Sequence, residues 1–396
     1  MSLNLTRPAW GSYLNRRKGV LFLVVALVFL LFQLLPSSSN LARSASETKP
    51  EFLWHSPYRD NPDKDYEDRI RDALIYIEQV TVEHGDNKAI HKIWQVLLGT
   101  GENTDGRGQD SHDLQDSNND WDHEVLSSKW AKWFLGAFLN LVPDLEHYWK
   151  SYPDEQLRAN LLRYLVMWYH GGYYADLDVV PVLPIRDCPA LQETAAVKNP
   201  KAHISLVVGI ETDEPFATPE MGVQWRGARK YGFIQYNMWA PRRFSPLLRE
   251  VIVRVLSHTK QHFDRQRWFF GEFYDHYTQK MTHEITGPGV FTDAILDVLS
   301  ENLPSTHPLV VQSTEAERRF TTSPPSRVTW APFHGLQEPV CVDDSESAMG
   351  KHTGGLCVLP ASVWGAGPRD SNSPEACIDH RLSGSLKKGW LTGLTG

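Results

Sequence analysis

Residues 19–35 read GVLFLVVALVFLLFQLL, and no side chain from Val20 to Phe32 is polar. A run this long and this apolar has no face to offer water, so the reading it forces is a helix crossing a membrane. Arg16, Arg17 and Lys18 stand directly before it, which orients the N-terminus to the cytoplasm. The rival reading is a cleaved signal peptide. The run is long for that, and Pro36-Ser37-Ser38-Ser39 makes a poor cleavage site. The expected plan is a cytoplasmic tail over 1–18, a transmembrane signal anchor over 19–35, a stem over 36–85 and a folded luminal domain over 86–396.

A luminal domain gives its cysteines meaning. Cys188, Cys341, Cys357 and Cys377 can form two disulfides in an oxidising compartment, in three possible pairings. Their spacing lacks the close pairs of a zinc site. The only Asn-x-Ser/Thr sequon, Asn4-Leu5-Thr6, precedes the anchor, so no N-glycan is expected on the luminal side. The formal net charge of −8 gives no electrostatic reason to expect nucleic acid as a partner.

Within the luminal part, Ile70, Leu74, Ile77 and Val80 recur at helical spacing between Asp65 and His84. Ala89 to Leu98 reads as a buried strand, and Gly99 to Asp120 as a polar, mobile surface insertion. From Asp154 to Ile185 the pattern is helix, tight turn, strand, acidic pair and loop. Asp154 offers an N-cap, and Leu157, Leu161, Leu165 and Tyr169 fall on one face. Gly171-Gly172 ends that helix, and Tyr173 to Val180 resumes as a strand. Two more strands are expected over 203–210 and 233–239, and two helices over 246–256 and 288–299. Alternating strands and helices predict an α/β fold with a mostly parallel sheet.

The chemistry centres on Asp176-Leu177-Asp178. On a strand these carboxylates would share one face, a hard-oxygen pair suited to Mn²⁺ or Mg²⁺. Asp63-Lys64-Asp65 and Asp120-Trp121-Asp122 match the same three-residue pattern but lie in polar loops. Asp176 and Asp178 instead follow an apolar strand entered from a Gly-Gly turn, where an open α/β sheet places its ligand crevice.

The stretches Ala159-Asn160-Leu161-Leu162-Arg163-Tyr164 and Tyr169-His170-Gly171-Gly172-Tyr173-Tyr174-Ala175-Asp176-Leu177-Asp178 resemble the signature of glycosyltransferase family 32, which includes fungal α-1,6-mannosyltransferases. His91-Lys92-Ile93-Trp94-Gln95, Gln235-Tyr236-Asn237-Met238-Trp239-Ala240, Thr286-Gly287-Pro288-Gly289 and His380-Arg381-Leu382-Ser383-Gly384-Ser385 resemble the family too. The resemblance implies a GT-A-type α/β fold, a nucleotide-sugar donor and a divalent metal, Mn²⁺ or Mg²⁺. It implies Asp178 as direct metal ligand, with His380 on metal or diphosphate. Asp176 would hold ribose, donor sugar or metal-bound water. Arg163 would contact the donor, with Asn160 on the same helix face, and Ile93, Trp94 and Gln95 would lie near the base. Asn160 replaces the family's Asp, and Leu386 stands where the family has Trp.

On this reading the chain is a single-pass type II Golgi membrane protein. It transfers mannose from GDP-mannose, with retention, to an N-linked glycan or mannan, in α-1,6 linkage. Alternatives are another nucleotide-sugar or a glycolipid acceptor, or a non-catalytic subunit of a Golgi mannosyltransferase complex.

Overall fold

Strands β1 (Lys92–Leu97), β2 (Asp122–Ser127), β3 (Gly172–Ala175), β5 (Leu206–Asp213), β6 (Tyr231–Ala240), β7 (Val340–Val342) and β8 (Leu356–Leu359) form one sheet, in the order β2-β1-β3-β6-β5-β8-β7. A second sheet pairs β4 (Val179–Pro181) with β9 (Ile378–His380). The computed structural model describes residues 49–83, 89–99, 107–137, 140–218, 229–270, 277–324, 326–365 and 373–381. Contacts divide the chain at Lys49, and the fold described here is that of Pro50–Gly396. The tail, the anchor and residues 36–48 lie outside the described residues, and among the described residues no helix is long and apolar enough to cross a membrane.

Strand pairings β1–β2, β1–β3 and β5–β8 are parallel, whereas β6 and β7 run against their neighbours. Five of the seven strands therefore point one way, as the alternating pattern predicts. Successive residues of a strand face opposite sides, and the core divides accordingly. Trp94, Tyr174, Val208 and Ile210 join one cluster; their neighbours Ile93, Tyr173 and Val207 join another. The first cluster is covered by α1 (Lys64–Glu83), α3 (Glu155–His170), α4 (Pro246–Phe270) and α5 (Pro288–Asn302), through Leu74, Leu161, Val251 and Ile295. The second is covered by Leu114 of α2 (Gln109–Ser117), by Trp364, and by Ile378 of β9.

Two sequence expectations are corrected here. The folded unit begins near Pro50, not at residue 86. Ile70 and Leu74 of α1 are fully buried, and Glu78 receives Trp168 Nε1 at 2.9 Å and Arg249 at 2.7 Å. An amphipathic helix with partners for both its apolar and its charged face has no reason to remain a tether. Likewise, residues 109–117 form a helix that buries Ser111 and Leu114, in place of a mobile insertion. The four cysteines pair as Cys188–Cys377 and Cys341–Cys357.

Candidate active site

Helix α3 ends at Gly171, whose φ of 65° and amide bond to Met167 O close the last turn. Gly172 follows with φ of 95°, and a Cβ there would lie 2.6 Å from Lys92 O. Only glycines let the chain reverse and slip β3 between β1 and β6 at this distance. The strand then stops sooner than the sequence predicts. β3 ends at Ala175, residues 176–178 form a turn closed by Val179 N to Asp176 O at 3.2 Å, and β4 starts a different sheet. Asp176 and Asp178 are thus delivered by a turn at the carboxyl end of β3, not displayed on one strand face. The physical reason is the switch of pairing partner, from β6 to β9, within those three residues.

The two carboxylates serve different partners. Asp176 Oδ1 accepts the Tyr174 hydroxyl at 2.6 Å, and Arg163 donates to Oδ2 at 3.4 Å and lies 3.3 Å from Oδ1. Arg163 also donates to Gln235 O at 3.3 Å and lies over the Tyr174 ring. Burial opposes the charge on Arg163, but Asp176, Tyr174 and Tyr164 together raise its pKa overall. Asp178 Oδ1 lies 3.3 Å from His380 Nε2. The His380 ring stacks on Tyr236, centroids 3.9 Å apart, and the strand carrying it pairs with Val179 directly after Asp178. Burial lowers the pKa of His380, yet its bond to Asp178 and the nearby carboxylates raise it overall.

The remaining sequence-derived residues stand behind this cleft. Ile93 and Trp94 are buried on opposite faces of β1, and the Trp94 indole donates to Gly171 O at 2.9 Å. Gln95 is fully buried: it donates to Asp176 O at 3.1 Å and accepts from Ser111 and His123. It positions the acidic turn from below. Asn160 is buried and donates to Thr286 Oγ1 at 3.1 Å. The other two Asp-x-Asp matches have structural work: Asp63 accepts the Tyr66 amide at the start of α1, and Asp120 pairs with Arg186.

Sequence reasoning missed Glu211, Tyr174 and Tyr236. Glu211 lies near the end of β5; solvent reaches its side chain although protein lies on most sides of it. Burial pushes its carboxyl up to about 7, with His380 and Arg163 opposing that rise and Asp176 adding to it. Its one sequence signal was a lone carboxylate at the end of an apolar strand, which periodicity cannot separate from a surface residue.

Among the described residues no group of three or more His, Cys, Asp or Glu side chains stands ready to hold a metal ion. The Asp178 carboxylate and His380 imidazole supply two ligands of types that suit Mn²⁺, leaving further positions to substrate or solvent oxygen. Asp176, with both oxygens engaged by Arg163 and Tyr174, is better placed to orient than to ligate.

Residues 87–196 match a family model described as a glycosyltransferase sugar-binding region containing a DXD motif. Three curated relatives carry the name initiation-specific alpha-1,6-mannosyltransferase. The Candida albicans protein is 27% identical over 69% of this chain and 65% of its own length. The Schizosaccharomyces pombe protein is 26% identical over 67% and 56%, and the Saccharomyces cerevisiae protein 23% identical over 68% and 71%. The chain thus spans less than two thirds of the length of the first two. The solved PaToxG glycosyltransferase overlaps loosely, at 15% identity and a TM-score of 0.31 over 59% of this chain and 80% of that one. Asp176 and Asp178 lie inside the matched region, so the chain's similarity is to a DXD-containing sugar-binding region of glycosyltransferases, and its resemblance is to family 32.

Proposed function

We propose that the chain transfers mannose from GDP-mannose to a mannose-terminated acceptor, an N-linked glycan or mannan, in α-1,6 linkage and with a divalent metal. The observation that carries this reading is the paired arrangement at the acidic turn: Asp176 clamped by Arg163 and Tyr174, and Asp178 beside His380. The names of the relatives support mannose as the sugar. Asp178 and His380 would hold the ion, and a bound divalent ion offsets charge on a diphosphate leaving group. Arg163 and Tyr174 fix Asp176 in direction, so it can accept hydroxyls of the donor without reorganising. Tyr236 holds the His380 ring by stacking and by its hydroxyl bond to Trp364 O at 3.3 Å. The apolar run 19–35 behind a basic cluster supports a type II anchor in the Golgi membrane.

The test uses full-length chain in detergent. GDP-mannose turnover should require Mn²⁺ or Mg²⁺, stop on chelation, and disappear in Asp176→Ala/Asp178→Ala. Turnover that persists in that double variant would falsify the site. A second reading, another donor sugar, is favoured by Asn160, whose amide is bound to Thr286 where the family has a carboxylate. Titration with GDP-mannose, UDP-galactose and UDP-N-acetylglucosamine separates the two.

A further inference from the structure

Donor and metal binding, as derived above, leave one carboxylate of the cleft unused. Strand β5 is buried from Leu206 to Ile210, and Glu211 is its first residue open to solvent. Ala175 lies opposite Asn237, and the next residue of β6, Met238, lies opposite Val208. Beyond Val208 the β6 partner jumps to Phe233, opposite Ile210, so Glu211 follows a break in the ladder. Its carboxylate is within electrostatic reach of His380, Asp176 and Arg163. Alternation puts it on the face of Val207, the face that also holds Tyr236 and Ile378 and from which β9 presents His380. The register of β5 against β6 also shifts on both sides of Ile210. Such irregularities re-aim side chains beside ligand sites.

Its chemical situation differs from that of its neighbours. Asp176 is held by Arg163 and Tyr174, and Asp178 by His380. Among the described residues the Glu211 carboxylate makes no hydrogen bond or ion pair. Nor does it complete a group of three metal-ligating side chains with Asp178 and His380. A surrounded, solvent-reached carboxylate without a protein partner is a hydrogen-bond acceptor waiting for a hydroxyl.

We propose that Glu211 is the acceptor-side catalytic residue of this cleft, receiving the hydrogen of the sugar hydroxyl that attacks the donor. The inference rests on the transferase reading above. In that step the acceptor oxygen forms a bond to the anomeric carbon, and the bond from that carbon to the diphosphate oxygen breaks. The bonding electron pair leaves with the nucleoside diphosphate, and the hydroxyl proton passes to the Glu211 carboxylate, which later returns it to solvent. A carboxyl held up to about 7 by burial is suited to both halves of that exchange.

The experiment measures sugar transferred against sugar lost to water. Full-length chain is given GDP-mannose and Mn²⁺, with methyl α-mannoside or a mannan oligosaccharide as acceptor. Glu211→Gln should lower the ratio of transfer to hydrolysis at least tenfold and raise the acceptor KM, and Glu211→Asp should recover part of the loss. An unchanged ratio in both Glu211→Gln and Glu211→Ala overturns the role of Glu211 while leaving the transferase reading intact. A wild-type chain that consumes no nucleotide-sugar overturns the transferase reading and this step with it. A wild-type chain that consumes donor but passes none to either mannoside overturns the acceptor class assumed here.

Discussion

Asp176 and Asp178 are two positions apart, yet the fold gives them separate partners, and that separation is testable. Tyr174→Phe removes a 2.6 Å hydrogen bond to Asp176 Oδ1 from a fully buried hydroxyl. The expected cost is about 1–2 kcal/mol in urea denaturation, with a drop in donor kcat/KM of roughly tenfold. Arg163→Lys keeps the charge but loses the fork that reaches both Asp176 oxygens, so it should lower kcat/KM at least as much. Glu211 gives a pH signature. Burial pushes its carboxyl up to about 7, from an ordinary value of 4.5, so the ionised form is disfavoured by folding. Stability from this group is present at low pH and is lost as pH rises through that window. Glu211→Gln should therefore have a higher thermal midpoint than wild type at pH 8, and the gap should shrink at pH 5.

At the scale of elements, the site depends on one reversal and one strand. Gly172→Ala would place a Cβ 2.6 Å from Lys92 O and 2.9 Å from Ile90 O at a φ of 95°. Both contacts are backbone, so β3 cannot relax around them. We expect a loss of more than about 2 kcal/mol in a denaturant titration. The strand is β9, which pairs with β4 over only three residues and is tied at its start by Cys188–Cys377. So short a ladder is weak alone. Cys188→Ser/Cys377→Ser should raise amide exchange over 376–381 and cut donor turnover at least tenfold. Cys341→Ser/Cys357→Ser, which unties β7 from β8, should leave that segment protected. Equal exchange in both variants would refute the latch. The helix over 64–83, the Gly-Gly reversal and most strands of the sheet were legible in the sequence, because each has its own periodicity or its own glycine. β2, which starts just past the stretch read as a polar insertion, was not, and neither were the short strands β7, β8 and β9, since three or four residues carry no period and exist only through their partners.

For the molecule as a whole, topology is the open prediction. If residues 19–35 anchor a luminal domain, protease added to sealed vesicles should trim only the N-terminal tail, and residues 50–396 should become cleavable once detergent opens the membrane. Full digestion without detergent would reverse the orientation. By itself the sequence determined the α/β pattern, the apolar run and the family resemblance that singled out Asp176, Asp178, Arg163 and His380, because these rest on local spacing. Tertiary structure alone decided that Asp176 belongs to Arg163 while Asp178 belongs to His380, and that Cys188 meets Cys377. It also decided that Glu211 comes within electrostatic reach of His380 and Asp176. Those outcomes depend on strand register and on a change of sheet within three residues. Such choices are set by which strands find each other across long stretches of chain, and no local pattern encodes them.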